Sequence, residues 1–226
     1  MIRRLVLLAA LGAAVAGCGS TTHGAETTTT TQVPPHMMSL TVFEVVDGAL
    51  HARTAHVQQT TAVAGAALGA LGLDAPVTIA GGTATVALDS ATPEQTAEIV
   101  YTLTQFPTVQ RVDVGGRTGL TRADVASFVP PILIETPAAN AEVPSSIAVS
   151  GTASVFEATL VVELRQGGRV VMTHSVTASE GAPGRGTFST TLLAPNGGAA
   201  TIAAYAPSAA DGTPQHEQDL PVIVKP

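Results

Sequence analysis

The chain has 226 residues, a formal net charge of -7, 45% hydrophobic and 3% aromatic residues, no tryptophan and one cysteine. Phosphate binding is driven by clustered Lys and Arg; the single lysine, Lys225, and the scattered arginines argue against nucleic acid and against direct contact with anionic lipid headgroups. With one cysteine no internal disulfide can form, so cores of Val, Leu, Ile and Ala must hold the fold unaided, at about 25 cal/mol per Å² of apolar surface buried.

Met1-Ile2-Arg3-Arg4 is a basic start, Leu5 to Val15 is apolar, and small residues lead to Cys18. That order reads as a secretory signal over residues 1–17. Leu5 to Gly17 falls short of the roughly 20 residues a helix needs to span about 30 Å of hydrocarbon. Arg3-Arg4 would also suit a twin-arginine signal, but the usual polar and aromatic neighbours are missing, which favours the general secretory route. Loss of residues 1–17 removes two arginines and no acid, taking the net charge from -7 to -9. Val15-Ala16-Gly17-Cys18 resembles the bacterial lipobox. The resemblance implies a diacylglycerol on the Cys18 thiol, cleavage before it, and acylation of the new amine. Each buried methylene contributes about 0.8 kcal/mol, so two or more chains hold firmly. The expected location is the cell membrane, lipid-anchored on its extracytoplasmic face.

Residues 18–39 are rich in Ser, Thr, Gly, Pro and Gln, with a run of threonines from Thr27 to Thr31. This composition reads as a tether, about 25 Å in root-mean-square reach for about 20 flexible residues, and also suits a glycosylated stalk. His36-Met37-Met38 offers donors of the soft kind copper(I) takes, but leading into a strand it reads as linker or strand packing.

Leu40 to Val46 and Ala49 to Val57 are strand candidates around the turn signal Asp47-Gly48. Thr60 to Leu71 is Ala-rich and helical in period, stopped by Gly72. Thr83 to Leu88 alternates, with Ala84, Val86 and Leu88 on one face. Thr92, Pro93 and Gln95 predict a capped helix, whose apolar stripe is Ile99, Val100, Leu103 and Phe106. After Pro107 comes a strand, Val109 to Val114. Gly115-Gly116-Arg117-Thr118-Gly119 lacks the lysine of a phosphate-binding loop and reads as a turn. Thr121 to Asp124 has capping spacing for a last helical turn ending near Phe128.

Within this span, Thr83 to Asp89, Ile99 to Val109, Val112-Asp113-Val114 and Thr121 to Asp124 resemble the GerMN domain of sporulation and germination lipoproteins. The resemblance implies a small α/β domain over residues 40–129, similar to the ring-building motifs of secretion-type assemblies, with no catalytic residues. The chain departs from it between Ala49 and Pro76, where charged residues and much of a loop are lost.

Val129-Pro130-Pro131 marks a boundary, since consecutive prolines stop a helix. Beyond it the candidates are strands: Ile132 to Ile134, Ser146 to Ser150, Ala158 to Arg165, Arg169 to Val176, Thr187 to Leu192, Thr201 to Tyr205 and Leu220 to Val224. Seven short strands with regular Gly-rich turns predict an immunoglobulin-like sandwich over residues 132–226. Alternation turns Leu160, Val162 and Leu164 inward and Glu163 and Arg165 outward. Ile134 to Pro137, Val149 to Ala158, Gly181 to Phe188 and Ser208 to Gly212 resemble the immunoglobulin-like domain of bacterial spore-germination proteins. The fold class expected for the whole is α+β.

No G-x-S-x-G, H-E-x-x-H or paired-cysteine pattern occurs, and the six histidines lack metal spacing. No catalytic residue, metal site or cofactor is assigned. His216 to Asp219 reads as a solvated loop. Phe156 reads as core, and together with Glu157 it is the candidate interaction site, Glu157 serving as a loop acceptor or contact residue. The expected function is that of a noncatalytic envelope protein that binds or scaffolds an envelope protein or cell-wall partner. The alternatives are a cell-wall-directed hydrolase or a small-molecule-binding lipoprotein.

Overall fold

The computed structural model describes residues 36–226, which belong to one compact unit. The signal segment, Cys18 and the tether up to Pro35 lie outside the described residues.

Strands β1 (Met37–Val46) and β2 (Ala49–Gln58) form the expected hairpin, in register from Met37 opposite Gln58 to Val46 opposite Ala49. Asp47 and Gly48 both have positive φ, 51° and 79°, which gives the two-residue turn whose twist matches antiparallel strands. β1 starts three residues before the expected Leu40, taking Met37–Ser39 from the tether. Helix α1 (Val63–Ala70) ends as the glycine predicts. Gly72 has φ 77°, and the N–H groups of Gly72 and Leu73 donate to the carbonyls of Gly69 and Leu68 at 3.0 Å, closing the last turn in a Schellman motif.

A second sheet has the order β3-β4-β5-β6, built from β3 (Val77–Ala80), β4 (Thr83–Val86), β5 (Arg111–Val114) and β6 (Arg117–Leu120). β4 and β5 are parallel and are joined through helix α2 (Pro93–Thr104). The sequence reading lacks β3 and β6. Each is four residues long and closes a hairpin through a Gly-Gly pair with positive φ, Gly81-Gly82 and Gly115-Gly116. At the start of α2, Thr92 Oγ1 accepts from Gln95 N at 3.2 Å and Gln95 Oε1 accepts from Thr92 N at 3.0 Å, the reciprocal cap expected of this sequence. Ile99, Val100 and Leu103 are fully buried on its inner face. The same helix also serves β1, whose outer edge has no strand partner among the described residues. Thr102 Oγ1 accepts from Phe43 N, Glu98 Oε1 accepts from Val45 N, and Gln105 Nε2 donates to Thr41 O, each at 2.9 Å.

The C-terminal strands are β7 (Ile132–Thr136), β8 (Ala141–Val143), β9 (Ser146–Ala153), β10 (Thr159–Gln166), β11 (Arg169–Thr177), β12 (Gly186–Leu193), β13 (Gly198–Pro207) and β14 (Pro214–Val224). They form two sheets, β12-β9-β7 and β11-β10-β13-β14-β8. Between them Ile132, Ile134, Val149, Leu160, Val162, Leu164 and Ile202 make one buried core. The seven expected strands are present, and β8, three residues paired parallel to β14, is an addition. Two expectations are corrected. His216 to Asp219 lies inside β14, not in a loop, and Gln218 Oε1 reaches the other sheet to accept from Ile134 N at 2.6 Å. Glu163 is not solvated: it is 8% exposed beneath Arg165 and Tyr205.

Strand β7 serves two cores. Its alternation sends Ile132 and Ile134 into the sandwich, while Leu133 packs with Phe43, Leu50 and Tyr101 of the preceding segment. Ala139 continues the contact as a strand residue would, donating to Ala52 O and accepting from Thr54 N, both at 2.9 Å. Gly151 of β9 allows the close approach of β7, because any Cβ there would collide with the Leu133 carbonyl.

Candidate interaction surface

Phe156 is 70% exposed, which corrects its reading as a core residue. The cause is local backbone geometry. Glu157 and Ala158 both have positive φ, 53° and 57°, so the short 3-10 turn Phe156–Ala158 reverses direction. Val155 and Ala158 face inward as a result, and Phe156 stands out. Left-handed backbone at residues with a Cβ costs on the order of 1 kcal/mol or more each and persists where neighbours over-determine it. Those neighbours are present: Ala182 N donates to Val155 O at 2.9 Å and Ala178 N donates to Ala158 O at 2.8 Å. Gly181 packs so closely on Ala158 N that a Cβ would lie 2.8 Å from it. Glu157 is exposed, and its backbone carbonyl accepts from Thr159 Oγ1 at 3.2 Å. Phe156 and Glu157 are therefore adjacent at one braced tip. Cys18, the expected lipid attachment site, lies outside the described residues.

A second feature lies where the two cores meet. Arg122, from the 3-10 turn Arg122–Phe128, donates through Nη1 to Glu135 Oε2 and Oε1 at 2.8 and 3.0 Å, and through Nε to Thr104 Oγ1 at 3.0 Å. Its guanidinium lies 4.5 Å from the Tyr101 ring centroid, within cation–π range. Burial pushes the Tyr101 phenol up, opposed by the Arg122 charge. Arg185 donates to Pro130 O at 2.8 Å and to Thr152 Oγ1 at 3.2 Å, and burial lowers its pKa. Beside these groups runs a groove of about 510 Å³ whose floor includes Ser150, Thr152, Thr187 and Ser189. Sequence reasoning assigned no role to Arg122, Glu135 and Arg185, which occur only within the stretches of family resemblance and meet only through the fold.

Three further features lie elsewhere in the fold. On the outer face of the larger sheet, Arg165 gathers Glu163 and Glu217 at 2.8 Å and Asp219 at 3.3 Å, while Tyr205 Oη donates to Glu163 at 3.0 Å. An apolar cleft of about 620 Å³ runs between the start of α1, β3 and the Phe106-Pro107 corner. Hydroxyl–imidazole contacts join Ser39 to His56 at 3.2 Å and Thr190 to His174 at 2.8 Å, both between residues on strands. Among the described residues, no group of three or more His, Cys, Asp or Glu is arranged to hold a metal ion. Among the same residues, no helix is long and apolar enough to cross a membrane.

Residues 131–213 match the family model Gmad2, the immunoglobulin-like domain of bacterial spore germination. The chain is thus mostly β, with an immunoglobulin-like domain in its C-terminal region. No curated protein matches the chain. One solved crystal structure, of an engineered protein, matches with a TM-score of 0.31 and 19% identity, covering 57% of this chain and 35% of that one. The chain therefore spans about a third of the length of that structure.

Proposed function

We propose that this protein is a noncatalytic, lipid-anchored cell-envelope protein, a binding or scaffolding module of the sporulation and germination lipoprotein type. The observation that carries this reading is the match of residues 131–213 to an immunoglobulin-like germination domain that presents a braced, exposed Phe156. Aromatic side chains dominate binding hot spots, and burying a phenylalanine contributes about 1.5–3 kcal/mol. Because its loop is already held by Val155, Ala158 and Ala182, little ordering entropy opposes the contact. Residues 40–129 are a GerMN-type domain in this proposal, on the resemblance of Thr83 to Asp89 and Ile99 to Val109. Cys18 carries the lipid and holds the protein on the extracytoplasmic face, where confinement raises the effective concentration of weak partners. The partner is an envelope protein or a cell-wall component.

Two experiments test the reading. Cys18→Ala should release the protein from membranes or leave an uncut precursor, and unchanged membrane retention would sink the anchor. Crosslinking in intact cells should capture an envelope partner with the wild type and lose it with Phe156→Ala, while Val171→Ala, another exposed apolar change, leaves it intact. Turnover of wall polymer that vanishes with one acid or serine substitution would replace this reading with the hydrolase.

A further inference from the structure

The outer face of the β12-β9-β7 sheet carries two cross-strand pairs of hydroxyl residues, Thr152 opposite Thr187 and Ser150 opposite Ser189. Facing residues lie about 5 Å apart and alternate residues about 7 Å apart along a strand, so the four hydroxyls form a grid on the scale of one sugar ring. The face is walled on one side by Arg122 and Glu135, enclosing a groove of about 510 Å³, within the range of small-molecule sites.

The groove's own lining charges are paired, and a further cation stands behind Thr152. Arg122 is matched by Glu135, whereas the half-buried Arg185 donates only to Thr152 Oγ1 and to the Pro130 and Val129 carbonyls. Among the described residues no carboxylate lies within ion-pair distance of Arg185. One guanidinium without an ion-pair partner, on which the Glu135 charge acts only from beyond that distance, thus borders the hydroxyl grid at Thr152. A buried charge favours an opposite partner, and guanidinium is matched geometrically to carboxylate. Hydroxyls donate and accept, which suits a polyol.

We propose that this groove binds a carboxylated sugar, with the carboxylate at the Arg185 end and the ring hydroxyls over Ser150, Thr152, Thr187 and Ser189. A neutral sugar lacks the charged group and exchanges water hydrogen bonds for equivalent ones with little net gain. The site is separate from the Phe156 tip, so either can fail without the other.

The test is a nuclear magnetic resonance titration of the full, nitrogen-15-labelled chain with three probes: N-acetylmuramic acid, N-acetylglucosamine and lactate. The first two differ by the carboxyl-bearing lactyl ether, and the third carries the carboxylate without the ring. Saturable shifts are expected with N-acetylmuramic acid at the amides of residues 150–152 and 187–189, with each of the other probes binding at least about tenfold more weakly. Arg185→Gln should abolish the effect. Because Arg185 also braces the Pro130 carbonyl, Ser189→Val provides a second variant on an exposed position, expected to weaken binding with an unchanged Tm. Equal response to the two sugars, equal response to lactate, shifts elsewhere in the chain, or wild-type binding by both variants would each overturn the proposal.

Discussion

Arg122 Nη1 donates to Glu135 Oε2 at 2.8 Å across the Pro130-Pro131 joint, tying the turn that closes the first core to the strand that opens the second. Both side chains are partly exposed, 32% and 19%, so the pair lies between the weak surface case and the strongly coupled buried one. Glu135→Ala is expected to cost about 1–2 kcal/mol, lowering Tm by about 2–8 °C in a chain of this length. In a double-mutant cycle, Arg122→Ala combined with Glu135→Ala should show coupling of about 1 kcal/mol. Additive losses measured by thermal unfolding would mean that the pair is only adjacent.

Leu133 predicts how the two cores share stability. It is fully buried among Phe43, Leu50 and Tyr101, although its neighbours Ile132 and Ile134 belong to the sandwich. Leu133→Ala should cost about 2–5 kcal/mol through lost burial and the cavity left behind, and the loss should fall first on the earlier core. The chain has two tyrosines and no tryptophan, with Tyr101 in the earlier core and Tyr205 on β13. Fluorescence of Tyr101→Phe and Tyr205→Phe backgrounds therefore reports each half separately. The wild type should give coincident midpoints, and Leu133→Ala an earlier one at Tyr101. Coincident midpoints in the variant would show that Leu133 supports both cores equally.

Local chemistry was legible in the sequence where one short stretch supplied the whole cause. Asp47-Gly48, Gly72 and the Thr92–Gln95 cap each specify their geometry without distant help, and the structure has all three. The strands β3, β6 and β8 were not legible, because three or four residues give too few alternations to register a period. Glu163 misled because alternation correctly puts it on the outer face, while its burial depends on Arg165 and Tyr205, the latter on a strand far along the chain. Phe156 misled for a backbone reason. Positive φ at Glu157 and Ala158, residue types that rarely adopt it, reverses which side chains face the core. The groove residues Arg122, Glu135 and Arg185 meet only through the tertiary fold, so no spacing could have joined them.

The strain at the Phe156 tip yields its own test. Glu157 has φ 53° and ψ 19°, a conformation glycine adopts without steric cost. Glu157→Gly is expected to stabilise the protein by about 0.5–1 kcal/mol, the relief of left-handed strain exceeding the added entropy of the unfolded chain. Elsewhere in a strand the same change would destabilise. Denaturant unfolding decides it: a midpoint moved to lower denaturant would show that the Glu157 side chain makes contacts worth more than the strain.

The last prediction uses the helix side chains that complete the edge of β1. Glu98 Oε1 accepts from Val45 N at 2.9 Å. Burial raises the Glu98 pKa, the Val45 hydrogen bond opposes that shift, and the charges of Glu44 and Glu94 add to it. A carboxyl whose folded-state pKa exceeds its unfolded value binds its proton more tightly when native. Its stabilising contribution is complete below the unfolded value and is lost as pH rises through the folded one. At neutral pH the ionised group is held against desolvation and two like charges, and glutamine would keep the oxygen that accepts from Val45 while removing the charge. Glu98→Gln should therefore raise Tm at about pH 7 by about 1–3 °C, a gain of a few tenths to 1 kcal/mol. The gain should fade by about pH 4, where the wild-type carboxyl is largely protonated in both states. Circular dichroism melts of the two proteins across this range measure it. An equal gain at both ends, or a loss at neutral pH, would mean that Glu98 acts through its geometry and not through its titration.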